Sequence, residues 1–240
     1  MTHSFEKYND ILLDAFRHNQ RGTELAQKKL SILQDLIDSH DLHVDSILFI
    51  GFSPSMLHMN LPMSVSYVSE DVRAYLDKNN LQYKYIEPER LAEHTADLTV
   101  AFDEFLTFAA SDAEQKRLVE LLCGITKKCI ITTLRDYKNQ DFKDREFSQP
   151  IVIKDDGNKK IYLEHYEYNI ADRNSYTGTN YIIEDDAVVV IGPFERRNMF
   201  FKQLAKFGLD SGSRNFLIHK NLMHKSIIKK SYEHIITIKL

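Results

Sequence analysis

Ser46-Ile47-Leu48-Phe49-Ile50-Gly51-Phe52-Ser53-Pro54 is the stretch on which the reading of the fold turns. Four consecutive apolar residues end at a glycine. A strand with one wet face alternates apolar and polar residues, whereas an unbroken apolar run requires cover on both faces, as in a parallel sheet flanked by helices. In such open α/β sheets ligands bind beyond the carboxyl ends of the strands, near the point where strand order reverses. A glycine at that end lets the main chain approach a ligand closely.

The pattern on either side agrees with this reading. Val65 to Glu70, Tyr83 to Glu87, Leu98 to Phe102 and Lys128 to Leu134 read as further strands. Val72 to Lys78 reads as a helix, and Ser111-Asp112-Ala113-Glu114 is a capping box opening another through Leu118, Leu121 and Leu122. Alternating strands and helices predict right-handed crossovers onto one sheet. Before the first strand, Ser4 to His40 is helical in pattern, with Ile11, Leu12, Ala15 and Phe16 on one stripe. Gln20-Arg21-Gly22-Thr23 breaks it, and Thr23 is placed to cap a second helix.

After Asn139 the pattern changes. Ile151 to Ile153, Ile161 to Tyr168, Tyr181 to Glu184 and Val188 to Ile191 read as antiparallel strands joined at Asp155-Asp156-Gly157-Asn158 and Asp185-Asp186. Phe194 to Phe207 reads as a helix and Tyr232 to Leu240 as a last strand. The expected fold is therefore α/β: a Rossmann-like, seven-stranded, mostly parallel sheet with helices on both faces, N-terminal helices and an antiparallel strand extension. One domain spans 1–240, with a helical lid (1–44), a cofactor-binding half (45–139) and an antiparallel, acceptor-binding half (140–240).

Composition narrows the function classes. The chain has 240 residues, 43% hydrophobic and 28% charged, which excludes a disordered or collagen-like chain. Cys123 and Cys129 form no C-x-x-C pair and read as core residues in a reducing, cytoplasmic setting. No apolar run is long enough to span a membrane, and Met1 to Asp14 does not read as a signal peptide. The histidine spacings of His40/His43 and His219/His224 do not suit zinc, so no metal is expected. There is neither a G-x-S-x-G elbow nor a G-x-x-x-x-G-K-[ST] phosphate loop. Arg196 to Lys230 carries nine Lys/Arg against one acid, Asp210, and reads first as a solvated face and second as a surface for phosphate.

Candidate ligand contacts follow from position. Gly51 sits in the first turn. Glu70, nineteen residues on, ends the second strand, where a carboxylate accepts from ribose hydroxyls. Glu87 ends the third strand, where it would face a base. Asp103 and Glu104 follow the fourth strand and could orient an amine or accept a proton. Tyr8, Tyr137, Tyr166, Tyr168 and Tyr176 are candidates to line a polar pocket.

In this order and spacing, Ile47 to Pro54, Glu70, Ile86 to Leu91, Asp97 to Leu106 and the closing strand Tyr232 to Leu240 resemble the class I S-adenosylmethionine-dependent methyltransferases. Ser53 stands where that superfamily usually has a second glycine of G-x-G-x-G. A shorter match, Thr133-Leu134-Arg135-Asp136-Tyr137, resembles the R-[DN]-Y-D segment of glycine and sarcosine N-methyltransferases, departing from it at Lys138. The resemblance implies S-adenosylmethionine held by Gly51, Phe52, Ser53, Pro54, Glu70, Asp71, Glu87 and Ala101. It implies an acceptor placed by Asp103, Arg135 and Tyr137, with Arg135 clamping a carboxylate through its planar fork. The implied partner is a small amine- or carboxylate-bearing molecule, with a homo-oligomer as a further possibility. Two alternatives stay open: an inactive methyltransferase-like binding or scaffold protein, and a nucleic-acid methyltransferase using the Arg196 to Lys230 tract.

Overall fold

In the computed structural model, the described residues are 2–18, 20–38, 43–135, 145–147, 150–155, 158–169, 171–172, 174–185, 187–225 and 230–240. The unbroken apolar run becomes β1 (Ile47–Ile50), buried along its whole length. Ile47 and Phe49 join one core cluster, while Leu48 and Ile50 join the cluster on the opposite face. The period-two alternation of a strand thus feeds two apolar layers, and this is why the run carries no polar residue.

β2 (Met63–Ser66), β3 (Tyr83–Tyr85), β4 (Ala96–Ala101) and β5 (Thr126–Arg135) run parallel with β1. Later in the chain β11 (Asn215–Lys225) and β12 (Lys230–Lys239) complete a seven-stranded sheet in the order β11-β12-β5-β4-β1-β2-β3. β12 is antiparallel to β5, pairing Glu233 to Lys239 with Arg135 to Cys129. The chain leaves β1 toward β2 and β3, then returns to the other side of β1 as β4. The reversal, and hence the ligand crevice, lies at the carboxyl ends of β1 and β4. The helices are α1 (Thr2–His18), α2 (Gln20–Asp38), α3 (Glu70–Lys78), α4 (Asp112–Ile125) and α5 (Phe201–Asp210).

A second, antiparallel sheet packs beside the first. β8 (Asn158–Tyr168) pairs with β9 (Ser175–Glu184), which pairs with β10 (Ala187–Arg197). β6 (Arg145–Phe147) and β7 (Ile151–Asp155) both pair with the free side of β8. Tyr162, Ile182 and Phe194 turn one face of this sheet into the core cluster that also holds Phe5, Tyr8 and Phe108.

Several expected boundaries move, each for a physical reason. Phe194 to Arg197 is strand rather than helix, because these residues pair with Gly178 to Ser175 across β9; α5 starts only at Phe201. Sheet pairing there overrides a helical apolar spacing. Glu70 does not end β2. The left-handed Tyr67 (φ 59°) stops the strand at Ser66, and Ser69 caps α3, so Glu70 is the first residue of that helix. α2 begins at Gln20, three residues before the expected cap at Thr23. β11 was hidden by its basic residues, which lie along an edge strand, a common place for lysine.

Ser111 caps α4 as expected, while Glu114 reaches back one residue further than a capping box requires, to the Ala110 amide. The Glu114 amide donates to the Ser111 hydroxyl at 3.1 Å, and the Ala110 amide donates to the Glu114 carboxylate at 2.7 Å. Replacing Ser111 by Ala is expected to cost about 1 kcal/mol. Urea unfolding checks this: the midpoint should fall with an unchanged slope.

Candidate active site

Gly51 ends β1 with φ +83°, a left-handed conformation suited to glycine, and its amide donates to the Ser66 carbonyl at 2.8 Å. The chain then turns sharply. Ser53 caps a short 3-10 turn, Pro54–His58, accepting from the Ser55 amide at 3.3 Å, with Pro54 in the first position. The Phe52 ring points away from the crevice and lies 6.0 Å from Phe16 and 6.2 Å from Tyr75. Ser53 and Pro54 shape the turn, while the Gly51 backbone and the Phe52 amide border the crevice.

That crevice is filled by α1. A Cβ on Gly51 would sit 2.7 Å from the Phe5 ring and 2.8 Å from Asn9 Oδ1. Phe5 is 1% exposed and meets Tyr67, Phe105 and Phe108 edge-on at 6.4, 5.0 and 5.1 Å between centroids. Asn9 is fully buried. Its Oδ1 accepts from the Phe52 amide at 2.6 Å, and its Nδ2 donates to the carbonyls of Phe5 at 2.6 Å and Tyr67 at 3.3 Å. On the next residue, Asp10 accepts from the Ser69 hydroxyl that caps α3. Burial raises the Asp10 carboxyl above its ordinary range, against the opposing pull of that bond.

Backbone strain surrounds the same point. Tyr67 (φ 59°), Asp103 (φ 55°) and Glu104 (φ 62°) are left-handed residues at the ends of β2 and β4. Each costs roughly 1–2 kcal/mol against an ordinary conformation, and such outliers concentrate at functional sites.

Outside α1 lies an open groove of about 430 Å³, bordered by His3, Glu6, Lys7 and Asp10 on one wall and by Ser69, Glu70, Arg73, Tyr85 and Glu87 on the other. Glu70 and Glu87 therefore border one groove. Glu70 reaches Arg73 at 3.7 Å, and the Arg73 guanidinium lies 4.4 Å over the Tyr85 ring. Burial, and then the Glu87 carboxylate, pushes the Tyr85 phenol up to about 12. Asp71 is exposed on the first turn of α3 and does not border the groove. Ala101 is core, its carbonyl accepting from the Thr132 hydroxyl at 2.8 Å.

The two acids after β4 face opposite sides. Asp103 reaches Lys29 of α2 at 2.5 Å, and that lysine is 3% exposed. Glu104 lies against Arg196 at 3.3 Å, and Arg196 is also 2.9 Å from Glu164. Tyr166 donates to Glu164 at 2.6 Å and Tyr176 to Glu104 at 3.5 Å. The guanidinium carbon is 4.6 Å from the Tyr8 ring centre and 4.5 Å from that of Phe108, in cation–π range. Burial opposes the Arg196 charge, yet Glu164 first and then the surrounding groups hold its pKa well above the ordinary value. Gly178 makes room for this cluster, since a Cβ there would meet Glu164 at 2.9 Å. Gln115 of α4 ties the turn after β4 to the end of β10, donating to Leu106 and Arg197 carbonyls at 3.3 and 3.0 Å.

The structure thus brings Tyr8, Tyr166 and Tyr176 together, around an arginine the sequence reading assigned to a surface tract. Arg196 is no surface residue. Its neighbour Arg197 bridges Asp112 and Asp172. Arg135 ends β5 opposite Glu233, and Tyr137 with Asp136 and Lys138 lies outside the described residues. Asn9 was missed, although its signal was present: a carboxamide on the apolar stripe Phe5, Tyr8, Leu12, Leu13 and Phe16. Among the described residues, no three His, Cys, Asp or Glu side chains are grouped to hold a metal, and no helix is long and apolar enough to cross a membrane.

No family model matches the chain, and no curated protein matches it in sequence. Solved structures do match its shape over nearly its whole length. An S-adenosylmethionine-dependent methyltransferase from Clostridium acetobutylicum superposes with a TM-score of 0.67 at 12% identity, covering 89% of this chain and 91% of that one. An amino pentose methyltransferase from Micromonospora echinaspora gives 0.66 at 8% identity, covering 90% and 92%. A sugar N-methyltransferase from a Streptoalloteichus species gives 0.65 at 11%, covering 95% and 91%. The chain has the class I methyltransferase fold.

S-adenosylmethionine is the group named for the first two of these relatives. Tested against this geometry, the groove with Glu70 and Glu87 suits its nucleoside half. The cradle over Gly51, where the sulfonium half would rest against the main chain, holds Phe5 and Asn9 instead. With α1 seated, this methyltransferase fold does not accommodate the cofactor.

Two substitutions test the packing. Asn9→Ala leaves a buried amide and a buried carbonyl unpaired and should cost roughly 1–3 kcal/mol, with faster hydrogen exchange at Phe52. Arg196→Met strands two buried carboxylates and should cost about 3–5 kcal/mol. Adding Glu104→Gln and Glu164→Gln to Arg196→Met should restore part of that loss in urea unfolding.

Proposed function

We propose that the chain is an S-adenosylmethionine-dependent methyltransferase acting on a small amine- or carboxylate-bearing acceptor, and that the conformation described above is its cofactor-free form. The observation that carries this is the positive-φ Gly51 at the sheet's reversal point, with Glu70 and Glu87 on one adjoining groove. Shape similarity to small-molecule methyltransferases across nine-tenths of both chains supports the same reading. Fold alone does not assign chemistry, so the weight rests on these residues.

When bound, S-adenosylmethionine supplies an activated methyl group. This chain's own residues supply position and exclusion of water, which are what an in-line methyl transfer gains most from. Asp103 and Glu104 are the carboxylates beyond β4 suited to orient an acceptor's amine. Lys29 and Arg196 pair with them. Arg135 is the proposed clamp for an acceptor carboxylate. α1 and α2 cover the site as a lid. Arg196 is enclosed by Glu104 and Glu164 and Arg197 bridges Asp112 and Asp172, which takes two of the nine basic residues out of the tract offered to a nucleic acid.

One observation favours a second reading, a binding protein without turnover: the chain's own Phe5 and Asn9 lie in the cradle.

Calorimetric titration with S-adenosylhomocysteine, the demethylated product, separates the two. The methyltransferase reading expects saturable binding and a stabilisation of about 2.7 kcal/mol at a hundredfold excess over Kd. It further expects that Asp103→Asn lowers methyl transfer to small amines at least tenfold with product affinity unchanged. Absence of binding at millimolar ligand in both wild type and a Phe5→Ala variant would overturn it.

A further inference from the structure

Resting on that reading, we propose that α1 is an intramolecular competitor of the cofactor, in which Asn9 and Phe5 occupy the cradle and must withdraw before S-adenosylmethionine can bind. Three independent features carry this.

The first is polar complementarity. Asn9 presents one acceptor and one donor, and it satisfies one donor and one acceptor of the crevice, the Phe52 amide and the Tyr67 carbonyl. An amino-acid head group offers the same pair, a carboxylate that accepts and an ammonium that donates. The Asn9 carboxamide thus satisfies polar groups that the methionine end of the cofactor is able to satisfy. Exchange of one for the other would leave the Phe52 amide and the Tyr67 carbonyl paired.

The second is steric. The Phe5 ring fills the space above Gly51, and the 2.7 Å approach to a hypothetical Cβ there shows that no second group fits between them. Cofactor and seated ring are mutually exclusive.

The third is how α1 is held. Its second half is tied to the antiparallel sheet: Asp14 pairs with Lys160 at 2.8 Å and accepts from the Tyr162 hydroxyl at 2.7 Å. Its first half is held by Phe5 and Asn9 at the cradle, by Asp10 at the start of α3, and by Tyr8 against Phe194 and Arg196. Withdrawal of the first half therefore takes the Tyr8 ring off Arg196 as well as Phe5 and Asn9 out of the cradle, while the Asp14 contacts keep the second half attached. Apparent cofactor affinity is then the intrinsic affinity scaled by the fraction of molecules with α1 withdrawn.

The test compares S-adenosylhomocysteine binding by wild type and Phe5→Ala, together with amide hydrogen exchange of wild-type α1 with and without saturating ligand. Competition predicts that Phe5→Ala binds at least tenfold more tightly, and that amides of the first half of α1 exchange at least tenfold faster in the wild-type complex. Equal affinities, with α1 protection retained in the complex, would overturn the competition while leaving the methyltransferase reading intact. Failure of both proteins to bind would overturn both. Should Phe5→Ala not fold, the wild-type exchange measurement decides alone: faster exchange on binding supports the competition and unchanged exchange overturns it.

Discussion

The carboxamide of Asn9 joins α1 to the turns that follow β1 and β2, and much of the crevice is arranged around it. Being fully buried, it needs partners for both its ends, and the Phe52 amide and Tyr67 carbonyl provide them. Tyr67 presents its carbonyl there from a left-handed conformation, which also stops β2 and sets the start of α3. Phe5, one helical turn before Asn9, follows into the aromatic box of Tyr67, Phe105 and Phe108. One polar contact and one ring thus decide what the cradle over Gly51 holds.

A second constraint lies across the crevice. Arg196 enters from β10 fully buried and survives there because Glu104 and Glu164 balance it and two aromatic faces cover it. Buried ion pairs seldom stabilise more than well-packed apolar groups would, but removing one partner is costly. The cluster therefore fixes how the antiparallel sheet sits against the end of β4, and with it the strained Asp103–Glu104 pair. Tyr8 contributes to this cluster from α1, so the helix that fills the cradle also closes the arginine's cage.

Much of the architecture was legible because its cause is local. The run Ile47 to Ile50 has no polar residue since both its faces are buried, and the helix cap at Ser111 is a self-contained device. The antiparallel extension was legible from its turns, less so in its extent, since Phe194 to Arg197 has a helical spacing that ladder pairing overrules. At the site, Glu70 and Glu87 border one groove, although Glu70 arrives from a helix rather than a strand end. Asp71 and Ala101 do not join them. Asn9 and Arg196 are harder to assign as site residues from sequence for one shared reason. Each is a polar group on an apolar stripe, and its role is set by partners distant in sequence, Phe52 for Asn9 and Glu104 and Glu164 for Arg196.

Whether α1 rests in the cradle is the claim on which the functional account turns, and it is open to direct observation. Nuclear Overhauser contacts in the ligand-free, isotope-labelled chain measure it at the atoms concerned. The account predicts strong contacts from the Phe5 ring protons to the Gly51 Hα protons, and a Phe52 amide shielded from solvent. A Gly51 with no aromatic neighbour and a Phe52 amide exchanging freely with water would contradict it.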